Sequence, residues 1–293
     1  MDIVTPPEDP SASSIDIPKE SPRTILFQFV VFPLAVVAVG VGVFLLFGML
    51  ASERHAIPEY VNEIRAGSSH ARWQAAYQLS KSLKRGEAKQ YPALAGQIID
   101  IYRNAKNDDP KVRQYLSVVL GTLADKAATP VLLDGAGDRD PESRIYAIWA
   151  LGEVGDPRAF DRLAQLTQDQ DHDVRKTAVY AIGRLQDRRA VPILVTSLND
   201  TEPDVRWNAA LALSRFHDRR AVPQLEGMIE RDRLAHVEGL REDQKAEVMI
   251  SGMSAYAGVL GKESVPLLKK VADGDPNTQV RAAAKSLLQQ LGS

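Results

Sequence analysis

Between Asp140 and Pro223 small or apolar residues recur at i, i+3, i+4 and i+7 in three successive blocks. The blocks are Ala147, Ala150, Leu151, Val154; then Ala178, Ala181, Ile182, Leu185; then Ala209, Ala212, Leu213, Phe216. This is the period of a helix with one buried face, and the alanines stand where two helices must approach closely. The polar positions repeat with the apolar ones: Arg144, Arg175 and Arg206 stand 31 residues apart, as do Asp156, Asp187 and Asp218. A fixed period of this size predicts stacked helix pairs, because no single copy can bury its own apolar face.

The pattern extends in both directions. ARWQAAYQLS at 71–80 matches VRWNAALALS at 205–214, with about ten extra residues inserted between them, before and after Pro92. A further copy carries Arg113 and Asp125 in register. An acid precedes each arginine by four residues (Asp109, Asp140, Asp171, Glu202), often followed by proline, as at Pro110, Pro141 and Pro203. These read as N-caps with proline at the first helical position. The column Asp125, Asp156, Asp187, Asp218 lies past the far end of the same helix and is expected to cap the next first helix. The arginines are expected to meet acids at their own end of the stack, as a structural ladder. Beyond Glu230 the regularity breaks. About twelve extra residues fall mainly in 231–244, and the sixth copy has Lys245, Met249 and Gly261 where acid, arginine and aspartate are due; Arg281 restores the column in a last half-repeat.

The N-terminal part follows different rules. Residues 1–23 are rich in proline, serine and acids and predict a disordered tail. Residues 24–51 carry no charge and predict a single transmembrane helix, with 52–66 as linker and 67–293 as the repeat domain. Few basic residues flank the apolar run; Arg23 abutting it places the tail inside and the repeats in the periplasm, anchored to the inner membrane of a bacterium.

Composition narrows the chemistry. Lys plus Arg total 36 against 38 Asp plus Glu, which argues against a nucleic-acid partner. The absence of cysteine excludes disulfides and thiolate chemistry. Five scattered histidines lack the spacing that puts two metal ligands on one helical face, and no glycine-rich phosphate loop or nucleophile elbow is present. No cofactor, metal or catalytic residue is therefore expected, and the glycines of GEVGD read as packing and helix-termination residues. The residues off the buried stripe of the second helices are more telling. Tyr115, Tyr146, Trp149, Tyr180, Arg184, Trp207 and Arg215 are candidates for a partner-binding surface of the composition enriched at interface hot spots.

The run DVRKTAVYAIGRLQDRRAVPILVTSLND resembles the HEAT-like repeat of the phycobilisome-lyase type, with clear matches over residues 106–225 and looser ones over 65–293. The resemblance implies an all-α fold, a right-handed α-solenoid of about six and a half helix pairs, with the second helices on the concave side. It implies a protein-binding role. With the apolar run, this points to a membrane-anchored scaffold or adaptor, an accessory subunit or assembly factor of a membrane complex, that also contacts the lipid bilayer through residues 24–51. The alternative is a bilin lyase-like modifying enzyme, although no catalytic motif of that group matches residue by residue.

Overall fold

The computed structural model describes residues 31–51, 57–86 and 90–292. The expected tail, 1–23, lies outside the described residues. The chain divides between residues 55 and 56 into two units.

In the first unit, α1 (Phe32–Ala51) occupies part of the expected membrane span. Among the described residues no helix is long and apolar enough to cross a membrane. The single-pass anchor, the inner-membrane location with periplasmic repeats, and the contact with lipid are corrected accordingly.

The second unit consists of helices joined by short loops and turns, with no strand among its described residues. It begins with α2 (Ile57–Ala66), in the stretch assigned to a linker; Tyr60, Val61 and Ile64 are buried as it packs against α3 (Ser69–Ser82). The succeeding helices are α4 (Leu94–Asn104), α5 (Pro110–Leu123), α6 (Thr129–Gly135), α7 (Pro141–Val154), α8 (Phe160–Leu166) and α9 (His172–Arg184). They continue through α10 (Ala190–Ser197), α11 (Pro203–Ser214), α12 (Val222–Ile229), α13 (Arg231–Ala235), α14 (Glu242–Leu260), α15 (Val265–Gly274) and α16 (Thr278–Gly292). Short first helices (α4, α6, α8, α10, α12) alternate with longer second helices (α5, α7, α9, α11, α14).

The repeat is visible as columns of fully buried side chains. Leu120, Leu151, Ile182 and Leu213 on the second helices, and Leu132, Leu163, Leu194 and Leu225 on the first, are all completely buried. Each such side chain stabilises the stack by roughly 2 kcal/mol relative to exposure. Glycine sets the spacing between second helices. A Cβ at Gly121 would stand 3.2 Å from Ala150 Cα, one at Gly152 2.7 Å from Ala181 Cα, and one at Gly183 2.4 Å from Ala212 Cβ. The second helices therefore abut backbone to backbone. Successive first helices pack less closely on one another, which puts the second helices on the inside of the curve.

The caps follow the expected columns with one exception. Asp109, Asp140 and Asp171 accept hydrogen bonds from the backbone N–H groups of Lys111, Ser143 and Asp173. Glu202 occupies the same position, but its side chain makes no cap bond. Asp125, Asp156, Asp187 and Asp218 each accept from the backbone N–H two residues on, at 2.9–3.0 Å, where a turn opens the next first helix. Asp156 is nearly fully buried and also accepts from Thr129 Oγ1 at 2.8 Å; the hydrogen bond from the Arg158 guanidinium holds its carboxyl far below the usual carboxylate range. The second helices also share a terminal device: Ala124, Gly155, Gln186 and His217 all have φ between 53° and 67°. Only one of these four left-handed positions is filled by glycine, the residue that takes it without strain.

Candidate functional site

The arginine column is a ladder that meets acids at its own end of the stack, as expected. The partners are chiefly acids in the loop that precedes the next second helix. Arg72 meets Asp108 at 2.5 Å, Arg113 pairs with Asp138, and Arg175 makes a two-toothed contact with Asp200 at 2.9 and 3.0 Å. The bonds to Arg175 lower the pKa of Asp200. The guanidinium groups of Arg144, Arg175, Arg206 and Arg281 also donate to the carbonyls of Asp138, Asp169, Asp200 and Asp275 in their own loops. Arg144, Arg175, Arg206 and Arg281 thus tie a second helix to its own loop, and Arg72, Arg113 and Arg175 tie one to the next repeat.

What remains on the inside of the stack is set by helical spacing. Residues at i, i+3 and i+7 share a face. They are Tyr115, Val118 and Thr122 on α5; Tyr146, Trp149 and Glu153 on α7; Thr177, Tyr180 and Arg184 on α9; and Asn208, Leu211 and Arg215 at the end of α11. Six of the seven candidates fall on this face. Between α5, α7 and α9 it holds a shallow apolar depression of about 340 Å³, lined by Val118, Ile145, Tyr146, Trp149 and Thr177. Tyr115 lies edge-on to Tyr77 of α3, with ring centroids 5.1 Å apart, so the aromatic row continues towards the N-terminal end. Burial raises the hydroxyl pKa of Tyr146.

Trp207 is the exception among the candidates. It lines a different depression with Pro203, Gln224, Arg233, Leu234 and Val237, on the side of α12 and α13. Trp149, half-buried on the inner face, also has a packing role, since a Cβ at Gly121 of the preceding second helix would stand only 2.9 Å from its ring.

Polar groups occupy one edge of the inner face, and their centre is Glu153, which sequence reasoning passed over as part of a helix end. Its carboxylate accepts from Tyr180 Oη at 2.6 Å, from Arg184 Nη2 at 3.1 Å and from Arg85 Nη1 at 2.7 Å. Burial and this hydrogen bond raise the pKa of Tyr180. Arg215 lies beside Arg184, its Nη1 3.5 Å from where a Gly183 Cβ would be. Although Arg215 is exposed along much of its length, desolvation of its head and the adjacent Arg184 charge depress its pKa. The signal that finds Glu153 is the column itself: Glu153, Arg184 and Arg215 are spaced by one repeat.

A possible cation cluster lies elsewhere. Ligand atoms of His172, Asp173 and Asp204 fall within 4.8 Å of one another. The Lys176 ammonium already pairs with both carboxylates, with Asp204 at 3.3 Å, and supplies the positive charge there.

The HEAT repeats family matches residues 97–176 and 161–242. Comparison with curated proteins gives no match. Among solved structures, the complex of CpcE and CpcF of phycocyanin lyase from Nostoc sp. PCC7120 is similar with a TM-score of 0.53 and 16% identity, over 81% of this chain and 95% of that one. A designed armadillo repeat protein in complex with the peptide (KR)4 gives 0.43 and 16%, over 81% and 100%. Human deoxyhypusine hydroxylase in complex with glycerol gives 0.36 and 18%, over 80% and 96%. At these identities the likeness is one of fold. Residues 97–242 are thus HEAT repeats, carried in an all-helical solenoid.

Proposed function

We propose that the chain is a scaffold or adaptor that docks a protein segment on the inner face of α5, α7, α9 and α11. The observation that carries this reading is the row of half-buried Tyr115, Tyr146, Trp149 and Tyr180 beside an open apolar depression, while the fully buried core is built from other columns. Aromatic side chains that are part-solvated in the unbound chain bury much additional area when covered, at a small entropy cost. The cap and ladder residues, by contrast, already have their partners inside the stack.

Trp149 both packs on the preceding helix and faces the depression, so its removal would confuse folding with binding. The double variant Tyr146→Ala with Tyr180→Ala is the cleaner test. Immobilised protein is expected to lose partner capture by at least about tenfold, while far-ultraviolet circular dichroism retains the helical signal. Unchanged capture by the folded double variant would place docking elsewhere. A modifying-enzyme role rests on likeness of fold alone, and no observation of this structure favours it.

A further inference from the structure

We infer that the segment docked on this face is acidic, with a carboxylate side chain seated between Arg184 and Arg215 and an apolar or aromatic neighbour in the depression beside Tyr146 and Trp149. This rests on the docking role proposed above and specifies the chemistry of the partner.

Among the described residues, the edge of the face that ends in Glu153 carries a cationic surplus. Arg85, Arg184 and Arg215 gather around a single carboxylate, that of Glu153, which Arg85 and Arg184 share. Glu153 is itself largely buried, its side chain 10% exposed, so it is a fixed internal anion and does not project towards solvent. Among the described residues Arg215 has no hydrogen-bond or ion-pair partner of its own, and Arg184 Nε is buried without an acceptor. Two guanidinium groups held side by side with unfilled donors repel each other in a partly desolvated place. An incoming carboxylate removes that repulsion and accepts from the planar donors of either group. Glu142, another acid that acts on the aromatic row, acts on Tyr146, towards the opposite end of the face. On this face of α7, α9 and α11 the charged residue (Glu153, Arg184, Arg215) stands one turn beyond an aromatic or apolar one (Trp149, Tyr180, Leu211), and an acidic, part-aromatic segment fits both.

The test uses the full chain and two fluorescein-labelled peptides. One alternates glutamate with tyrosine; the other has glutamine in place of every glutamate. Fluorescence anisotropy is expected to show the acidic peptide binding at least about tenfold more tightly than its neutral twin, with the preference shrinking as salt rises. Arg215→Gln should remove most of that preference. It makes no internal bond, so the stack should keep its unfolding midpoint. Glu153→Gln should tighten the acidic peptide a few-fold, because it releases Arg85 and Arg184 from their internal anion. Arg219→Gln, which lies in an exposed pair with Glu263 at the turn before α12, serves as control and should change nothing.

Equal binding of the two peptides, failure of both to bind, or an acidic preference insensitive to Arg215→Gln would each overturn the inference. Tightening by inorganic phosphate or by free glutamate, in place of competition, would also count against a seated carboxylate. Loss of partner capture by the double tyrosine variant, together with equal peptide binding, would leave docking intact and remove only its acidic character.

Discussion

The middle of the stack and its C-terminal end solve the same mechanical problem with different residues. In α7, α9 and α11 every device recurs one repeat later: a glycine or alanine at the crossing, an arginine at the start and an aspartate just past the end. In the sixth pair, α12 with α14, the arginine position holds Met249, which is buried, and α14 starts earlier, where the Gln244 side chain accepts from the backbone N–H of Arg241 at 3.0 Å. The lost ion pair reappears on the insertion. Arg231, opening α13, binds Asp275 through both arms at 2.8 and 3.0 Å and meets Glu242 at 2.8 Å. Asp275 stands in the loop before the next helix, as Asp200 does for Arg175. The insertion at 231–244 therefore rebuilds the ladder that its neighbouring helix has given up. What the repeat preserves is a cation between adjacent loops and helices, not an arginine at one sequence position.

The sharpest contrast between the two regions is at the helix crossings. Gly152→Val drives a side chain into the backbone of α9, and a loss of about 3 kcal/mol is expected in urea unfolding. Gly258→Val on α14 has nothing within 4 Å to meet and should stay within about 0.5 kcal/mol of wild type. Equal effects would mean that the close approach of α7 and α9 is not what sets the stack.

The ladder comparison is tested next. Arg175→Met and Arg231→Met should each cost about 2 kcal/mol, because each leaves a poorly exposed carboxylate, on Asp200 or Asp275, without its cation. If Arg231→Met were neutral while Arg175→Met was costly, the insertion would not be a replacement rung. The smallest effect has the opposite sign. Gln186→Gly relieves a left-handed residue in the regular region that the preceding repeat already fills with Gly155, and a gain of about 0.5 to 1 kcal/mol is expected in the same measurement.

The fold was legible because it is written in columns. Buried leucines, crossing alanines and glycines and capping aspartates each repeat with one step, and a helix period needs no long-range information to be recognised. The site was less legible for two physical reasons. Off-stripe residues flank the stripe on both sides, so spacing alone put Trp207 with Trp149 although it faces α12 and α13. Ion pairs between repeats depend on which loop comes near, and the sequence offered several acids for each arginine; Asp138 and Asp200 lie two residues before the acids at the cap positions. Glu153 was hidden in the same way, since its partner Arg85 is 68 residues distant. The apolar run at 24–51 was read from composition, and the described part of that segment does not carry the span expected of it.

The docking role of the inner face is tested most directly by a photo-crosslinking residue placed at Tyr180, on that face, and separately at exposed Gln165, on a first helix. Crosslinking in the cell of origin, followed by mass spectrometry, is expected to yield a defined partner from position 180, joined through an acidic segment, and none from position 165. The same partner captured equally from both positions, or from position 165 alone, would contradict docking on the inner face.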